Sequence, residues 1–249
     1  MKEKKGAPFW LWAAVVSFVA LVVLAIVLIV QNSDNTEENA QTPPPPPPSE
    51  QDVQEIDPDD LTTTERHDDN DVLAFGAKTA PVTMIVFSDY QCPFCASWSH
   101  ETLPVLMEEY IENDELRIEW RDVNVFGDAS ERAAKASYAA ALQDQFFEYH
   151  DALFPEGESR SESELEEDAL VALAEELNLN TDRFAADMKA PETAEAIAVN
   201  EQLGIDLGAF STPSFIVGGE PVSGALPTEV FQEIIDEKLE AQGDVEDGN

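Results

Sequence analysis

Cys92 and Cys95 are the only thiols in the chain, and Pro93 and Phe94 stand between them. A nearly continuous apolar run, residues 82–87, precedes the pair, and an apolar stripe at helical spacing follows it. The pair therefore falls where a buried strand ends and a helix begins. A thiol at a helix N-terminus faces the unpaired backbone N–H groups there, which favours the thiolate. The thiolate is the nucleophile of disulfide exchange. Pro93 suits the first helical turn, where its missing N–H would be unpaired anyway.

Two other uses of the pair compete with redox chemistry. Zinc normally takes four Cys or His ligands. No second cysteine pair exists here, and His67, His100 and His150 are scattered. A structural disulfide between Cys92 and Cys95 would close a very short loop, where a cross-link constrains the unfolded chain least. A redox-active pair is the reading that the spacing favours.

The elements that must position the pair read as follows. Residues 82–87 fit a strand buried on both faces. The helix from Cys92 carries Trp98, Leu103, Leu106, Met107, Tyr110 and Ile111, and Pro104 should kink it. Residues 116–125 alternate Leu116, Ile118 and Trp120 with charged neighbours, a strand with one polar side. A helical stretch of about 80 residues comes next, Ala-rich over residues 133–142. In it, Ser163 and Glu166 resemble a capping box. Strand character returns at residues 214–217, with Gly218-Gly219 as a hairpin turn and Val222-Ser223 returning. Residues 227–239 form a terminal helix, and the acidic tail from Ala241 should fray.

The N-terminal third has a different character. Residues 9–30 are 22 residues without a charge, long enough to cross a bilayer as a helix. Lys2, Lys4 and Lys5 precede them, so residues 1–8 are expected in the cytoplasm and everything after Val30 outside. A cleaved signal peptide is the alternative, but Gln31-Asn32-Ser33-Asp34 offers no small-residue cleavage site. Residues 31–71 are acidic, poor in apolar residues and contain six consecutive prolines, 43–48. That composition implies a disordered linker, with a proline run extending about 19 Å. Its use is a tether, with a proline-recognition ligand as the alternative. The folded domain is expected over residues 72–240.

The 249 residues carry a formal net charge of −39. Removing the first 30 takes away three lysines and one glutamate and leaves 10 basic and 51 acidic residues, a net of −41. Nucleic acid binding is excluded, for no basic patch could neutralise phosphates. A solvated, self-repelling surface accounts for the acidity. Attraction of basic substrates or adaptation to high salt are its functional alternatives.

Three stretches resemble the DsbA-like thiol-disulfide oxidoreductases of the thioredoxin superfamily. They are Phe87-Ser88-Asp89-Tyr90-Gln91-Cys92-Pro93-Phe94-Cys95, Phe147-Glu148-Tyr149-His150-Asp151-Ala152-Leu153-Phe154 and Ser211-Thr212-Pro213-Ser214-Phe215. The resemblance spans about residues 72–239. With the anchor it is most similar to membrane-tethered members of Gram-positive, especially actinobacterial, type. It implies an α/β thioredoxin-like fold with a helical insertion over about residues 127–207. It also implies a cis Thr212-Pro213 bond packed against the pair, and Pro93, Phe94, Thr212 and Pro213 as active-site support. Cys92, more exposed at the helix start, would attack, and Cys95, one turn in, would resolve. The position where relatives often carry a buried acid is Val86, so Asp89 is the nearest carboxylate and the candidate proton relay. Phe94 stands where the strongest oxidants have His. His100 is expected to face solvent.

The implied activity is disulfide formation in exported proteins that present reduced cysteines. The Cys92–Cys95 disulfide would be the redox group, with no metal and no diffusible cofactor. A membrane redox partner would reoxidise it. A reductase or isomerase of the same fold, and a tethered binding module, are the alternatives.

Overall fold

The computed structural model describes Asp57, residues 60–68 and residues 70–247. The expected membrane anchor and most of the linker lie outside the described residues. Among those residues no helix is long and apolar enough to cross a membrane.

Five strands form one sheet among the described residues, in the order β1-β3-β2-β4-β5. They are β1 Ala74–Phe75, β2 Val82–Ser88, β3 Leu116–Asp122, β4 Ser214–Val217 and β5 Glu220–Ser223. β2 and β3 are parallel, and the other pairings are antiparallel. The apolar run of β2 is buried along its whole length, as its composition required. Alternate residues serve two cores. Val82, Met84 and Val86, with Leu116, Ile118 and Trp120, face the larger one. Ile85, Phe87, Val123 and Ile216 face the smaller.

Two helices flank the larger core: α1, Pro93–Glu101, and α8, Thr228–Asp247. Trp98 of α1 meets Phe215 of β4 and Phe231 of α8. Between β3 and β4 the chain adds α3 Asp128–Ala141, α4 Phe146–Leu153, α5 Glu167–Glu176, α6 Thr181–Met188 and α7 Pro191–Asp206. This is the thioredoxin-like fold with its helical insertion. The buried alanines of α3 let neighbouring helices approach closely. Gly204 of α7 is required by packing, since a Cβ there would lie 2.3 Å from Val123 Cγ1.

Several local expectations are corrected. The break in the first helix falls at Thr102, and Pro104 sits in the first turn of the short helix α2, Leu103–Leu106. There its missing N–H costs nothing. The capping box is Ser161 with Glu164, two residues earlier than expected. The C-terminal helix does not stop at Leu239 but runs to Asp247, and Gln242 Nε2 donates to the Pro81 carbonyl.

The largest correction concerns the polar side of β3, which is buried throughout. Arg117, Glu119 and Arg121 are covered by the end of the expected linker, so the folded unit begins before Val72. Asp60 caps a 3₁₀ turn, Leu61–Thr64. The backbone N–H groups of Arg66 and His67 then donate to Glu119 at 3.0 and 2.9 Å. Arg121 Nη2 lies 2.7 Å from Glu119 and 2.8 Å from Asp71. A charged strand face paired with a charged strap alternates in sequence as a solvated one does.

Candidate active site

Cys92 is the N-cap of α1, held by its N–H donating to the Asp89 carbonyl at 3.0 Å, and Pro93 occupies the first turn. Both cysteines are free thiols and both are buried, Cys92 exposed by 2% and Cys95 by 1%. The loop before β4 lies over Cys92, so its exposure is small, and Cys95 is the more deeply buried of the two. The Thr212-Pro213 bond in that loop is cis. The Thr212 carbonyl accepts the Cys92 S–H at 3.2 Å.

Their ionisation does separate them. A hydrogen bond from Cys95 is the main cause lowering the Cys92 thiol to about 6. Burial opposes this; Thr212 and the backbone N–H groups of Cys95 and Phe94 assist it. Thr212 Oγ1 is buried without another partner, so it can turn towards a thiolate. Cys95 moves the other way, pushed up by burial and by its neighbour Cys92. One sulfur is a thiolate at neutral pH and the other a protonated thiol.

Asp89 is buried and its carboxylate is occupied by three donors. Oδ1 accepts from Ser130 Oγ at 2.6 Å and from the Gln91 N–H at 2.7 Å, and Oδ2 from the Phe126 N–H at 3.0 Å. It staples the cysteine turn to the loop after β3. Burial, partly offset by these bonds, raises its carboxyl above the usual range.

His150, flagged in sequence only as part of a motif outside the active site, joins the insertion to the cysteine helix. Tyr90 OH donates to Ser137 Oγ at 2.7 Å. His150 Nδ1 lies 3.1 Å from Tyr90 OH, and Nε2 lies 3.1 Å from Ser99 Oγ. Burial lowers the imidazole to about 3, so it is neutral. One neutral tautomer, protonated at Nδ1, satisfies the whole chain. His100 is exposed, as its spacing indicated. Sequence reading missed Asp122, buried at the end of β3 with one carboxylate oxygen unpartnered among the described residues.

The surroundings are apolar and open. Phe94 is 65% exposed, and Phe126 and Phe210 are also exposed on the loops that carry Asp89's partner and Thr212. Among the described residues, no group of three or more His, Cys, Asp and Glu could hold a metal ion.

Fold and site together define a thioredoxin-fold protein with an asymmetric dithiol at the head of its first helix. Residues 68–237 match the family model described as thioredoxin. Over 150 residues the chain is 26% identical to the probable disulfide bond formation protein D of Bacillus cereus, covering 59% of this chain and 69% of that one. The crystal structure of oxidised BdbD from Bacillus subtilis has a TM-score of 0.61 at 23% identity, over 68% of this chain and 92% of that one. A thioredoxin-like oxidoreductase from Silicibacter pomeroyi gives 0.58 at 28% identity, over 70% and 99%. The chain belongs to the thioredoxin family, and within it is a DsbA-like thiol-disulfide oxidoreductase.

Proposed function

We propose that the protein forms disulfide bonds in exported proteins, outside the membrane to which residues 9–30 anchor it. The observation that carries this reading is the placement of the pair, Cys92 at the head of α1 against the cis Thr212-Pro213 loop and Cys95 one turn in, which lowers Cys92 to about 6 and raises Cys95. A stabilised Cys92 thiolate favours the reduced enzyme, which makes its disulfide the stronger oxidant. Cys92 is the attacking cysteine and Cys95 the resolving one. A substrate thiolate attacks Cys92 Sγ of the oxidised pair, and the electron pair of the broken S–S bond leaves on Cys95. A second substrate thiolate attacks the substrate sulfur of the mixed disulfide, and Cys92 leaves as a thiolate. The substrate gains a disulfide and the enzyme gains two electrons, which a membrane redox partner removes.

Exposed Phe94, Phe126 and Phe210 support an unfolded polypeptide as substrate, since apolar rims of this kind bind apolar segments. The redox group is the cysteine pair itself, and no metal or diffusible cofactor is required. The acidic, proline-containing segment after the anchor serves as the tether. Phe94 favours a second reading, a reductase or isomerase, because its ring adds no positive charge beside the thiolate. The test is oxidation of a reduced, unfolded disulfide protein by the oxidised full chain. Wild type should introduce the disulfides stoichiometrically and Cys92→Ser should not. A wild type that introduces no disulfide would overturn the oxidase reading, and a function that survives Cys92→Ser would make the domain a tethered binding module.

A further inference from the structure

The exposed large apolar side chains among the described residues are Phe94, Val125, Phe126, Ile205, Phe210 and Leu226, and all six lie on segments that meet at the dithiol. Phe94 stands between the cysteines. The Phe126 N–H is fastened to Asp89 beside them. Gly204, next to Ile205, packs against Val123, on the strand end that leads to Val125. Phe210 is two residues before Thr212, whose carbonyl accepts the Cys92 S–H. The Gly224 N–H, two residues before Leu226, donates to the Pro213 carbonyl at 2.9 Å. An exposed apolar face gathered in one place marks a docking surface.

Charge selects what docks there. Residues 88–96, 124–130, 204–214 and 223–229 carry this face and contain no lysine or arginine. Their exposed charged residues are Asp128, Asp206 and Glu229. The lysines and arginines that form ion pairs among the described residues do so with carboxylates other than these three. Asp206 ends α7, where an acid works against the helix dipole, and it is held by the Gln202 amide at 2.7 Å. Residues 31–249 carry a net charge of −41, so a second copy of this chain, an acidic polypeptide and an anionic lipid surface are all repelled. The chemistry adds to this. The attacking substrate thiolate is itself an anion, approaching an anionic face. A lysine or arginine beside the substrate cysteine offsets that repulsion and lowers the substrate thiol's own pKa.

We propose that this face selects cationic polypeptide segments, in which lysine or arginine stands beside apolar residues near the cysteine, with Asp128, Asp206 and Glu229 meeting the cations. This rests on the redox role proposed for the pair. The apolar side chains of the segment lie on the phenylalanine rim and supply contact area. The carboxylates discriminate among segments of equal apolar content by raising the encounter rate of the basic ones, an effect that salt screens.

The experiment mixes the oxidised full chain with the reduced peptides acetyl-Cys-Gly-X-Phe-X-Gly-Cys-amide, in which X is Lys, Gln or Glu. Loss of the Cys92–Cys95 disulfide is followed by acid quenching and alkylation. Each rate is divided by that of the same peptide with 2,2′-dithiodipyridine, a neutral disulfide, which removes the peptide's own thiol reactivity. At about 10 mM salt, where the screening length is about 30 Å, the Lys peptide should exceed the Glu peptide by about tenfold or more, with Gln between them. At about 1 M salt the length is about 3 Å, and the two should agree within about twofold. Asp128→Asn combined with Asp206→Asn should lower the low-salt ratio by about threefold or more. Glu175→Gln combined with Glu176→Gln removes the same charge from exposed positions on α5 and should leave the ratio near wild type. A ratio near one at low salt overturns the proposal, as does an equal fall in the two double variants. A disulfide that none of the three peptides reduces would instead sink the redox role itself.

Discussion

The Cys92 thiolate is held chiefly by Cys95, and this can be tested by removing the donor. Cys95→Ala deletes a hydrogen bond to a charged sulfur, and such bonds contribute about 1.5–3 kcal/mol. At about 1.36 kcal/mol per pKa unit, the Cys92 thiol should rise by roughly one to two units. From about 6 it would reach the range of roughly 7 to 8. The thiolate fraction at pH 7 would fall from about nine-tenths to between about a half and a tenth. Cys95→Ser keeps an O–H donor and should leave Cys92 near its wild-type value. The assay is thiolate absorbance near 240 nm against pH, with alkylation rates by iodoacetamide in parallel. A stability consequence accompanies it. The folded value lies below the ordinary thiol value of 9.0, so the contribution is fully present above the latter and is lost as pH falls through about 6. At pH 7 it amounts to about 1.4 kcal/mol unscreened, and about 1 kcal/mol once solvent screening is allowed for. An Ala variant within about 0.3 units of wild type, or a Ser variant that rises as far as Ala, would refute the reasoning.

Three further outcomes are expected. Glu119→Gln should destabilise the full chain by about 3 kcal/mol in urea, because it removes the buried negative charge that Arg117 and Arg121 share and weakens the bonds to the strap. Burial works to raise the Glu119 carboxyl, but Arg121, the Arg66 and His67 amides and Arg117 outweigh it. The depressed pKa means that this stabilisation is lost as pH falls through the folded value, so the two unfolding curves should converge in acid. Asp89→Ala should cost about 2 kcal/mol in urea unfolding by leaving buried donors unpaired. His150, lowered by burial to about 3 from 6.5, favours the unfolded state increasingly as pH falls between those values, by up to about 5 kcal/mol. His150→Phe should remove that acid sensitivity in thermal unfolding while losing about 2 kcal/mol at pH 7 with its bonds to Tyr90 and Ser99.

The strand–Cys–helix junction was legible because buried strands and helix starts leave local signals. The apolar run of β2, Pro93 and the stripe through Trp98 each have one natural reading. The Gly218-Gly219 hairpin was legible for the same reason, its two glycines having positive φ of 52° and 80°. Asp122 was not, since an acidic residue among the charged residues of β3 looks solvated until the fold covers it. Nor was the strap, where the Arg66 and His67 amides, the Asp68 carbonyl and the Asp71 carboxylate meet Glu119, Arg117 and Arg121. The cover over Cys92 comes from a loop more than a hundred residues away in sequence.

Whether the protein donates or removes disulfides is settled most directly by its reduction potential. The full chain would be equilibrated against glutathione buffers and the Cys92–Cys95 state read by alkylation. With the Cys92 thiol near 6, between about 7 in thioredoxin and about 3.5 in DsbA, the expected value lies between their potentials of about −270 and about −120 mV. A value near about −270 mV would make the reduced pair the active form and contradict disulfide formation as its role.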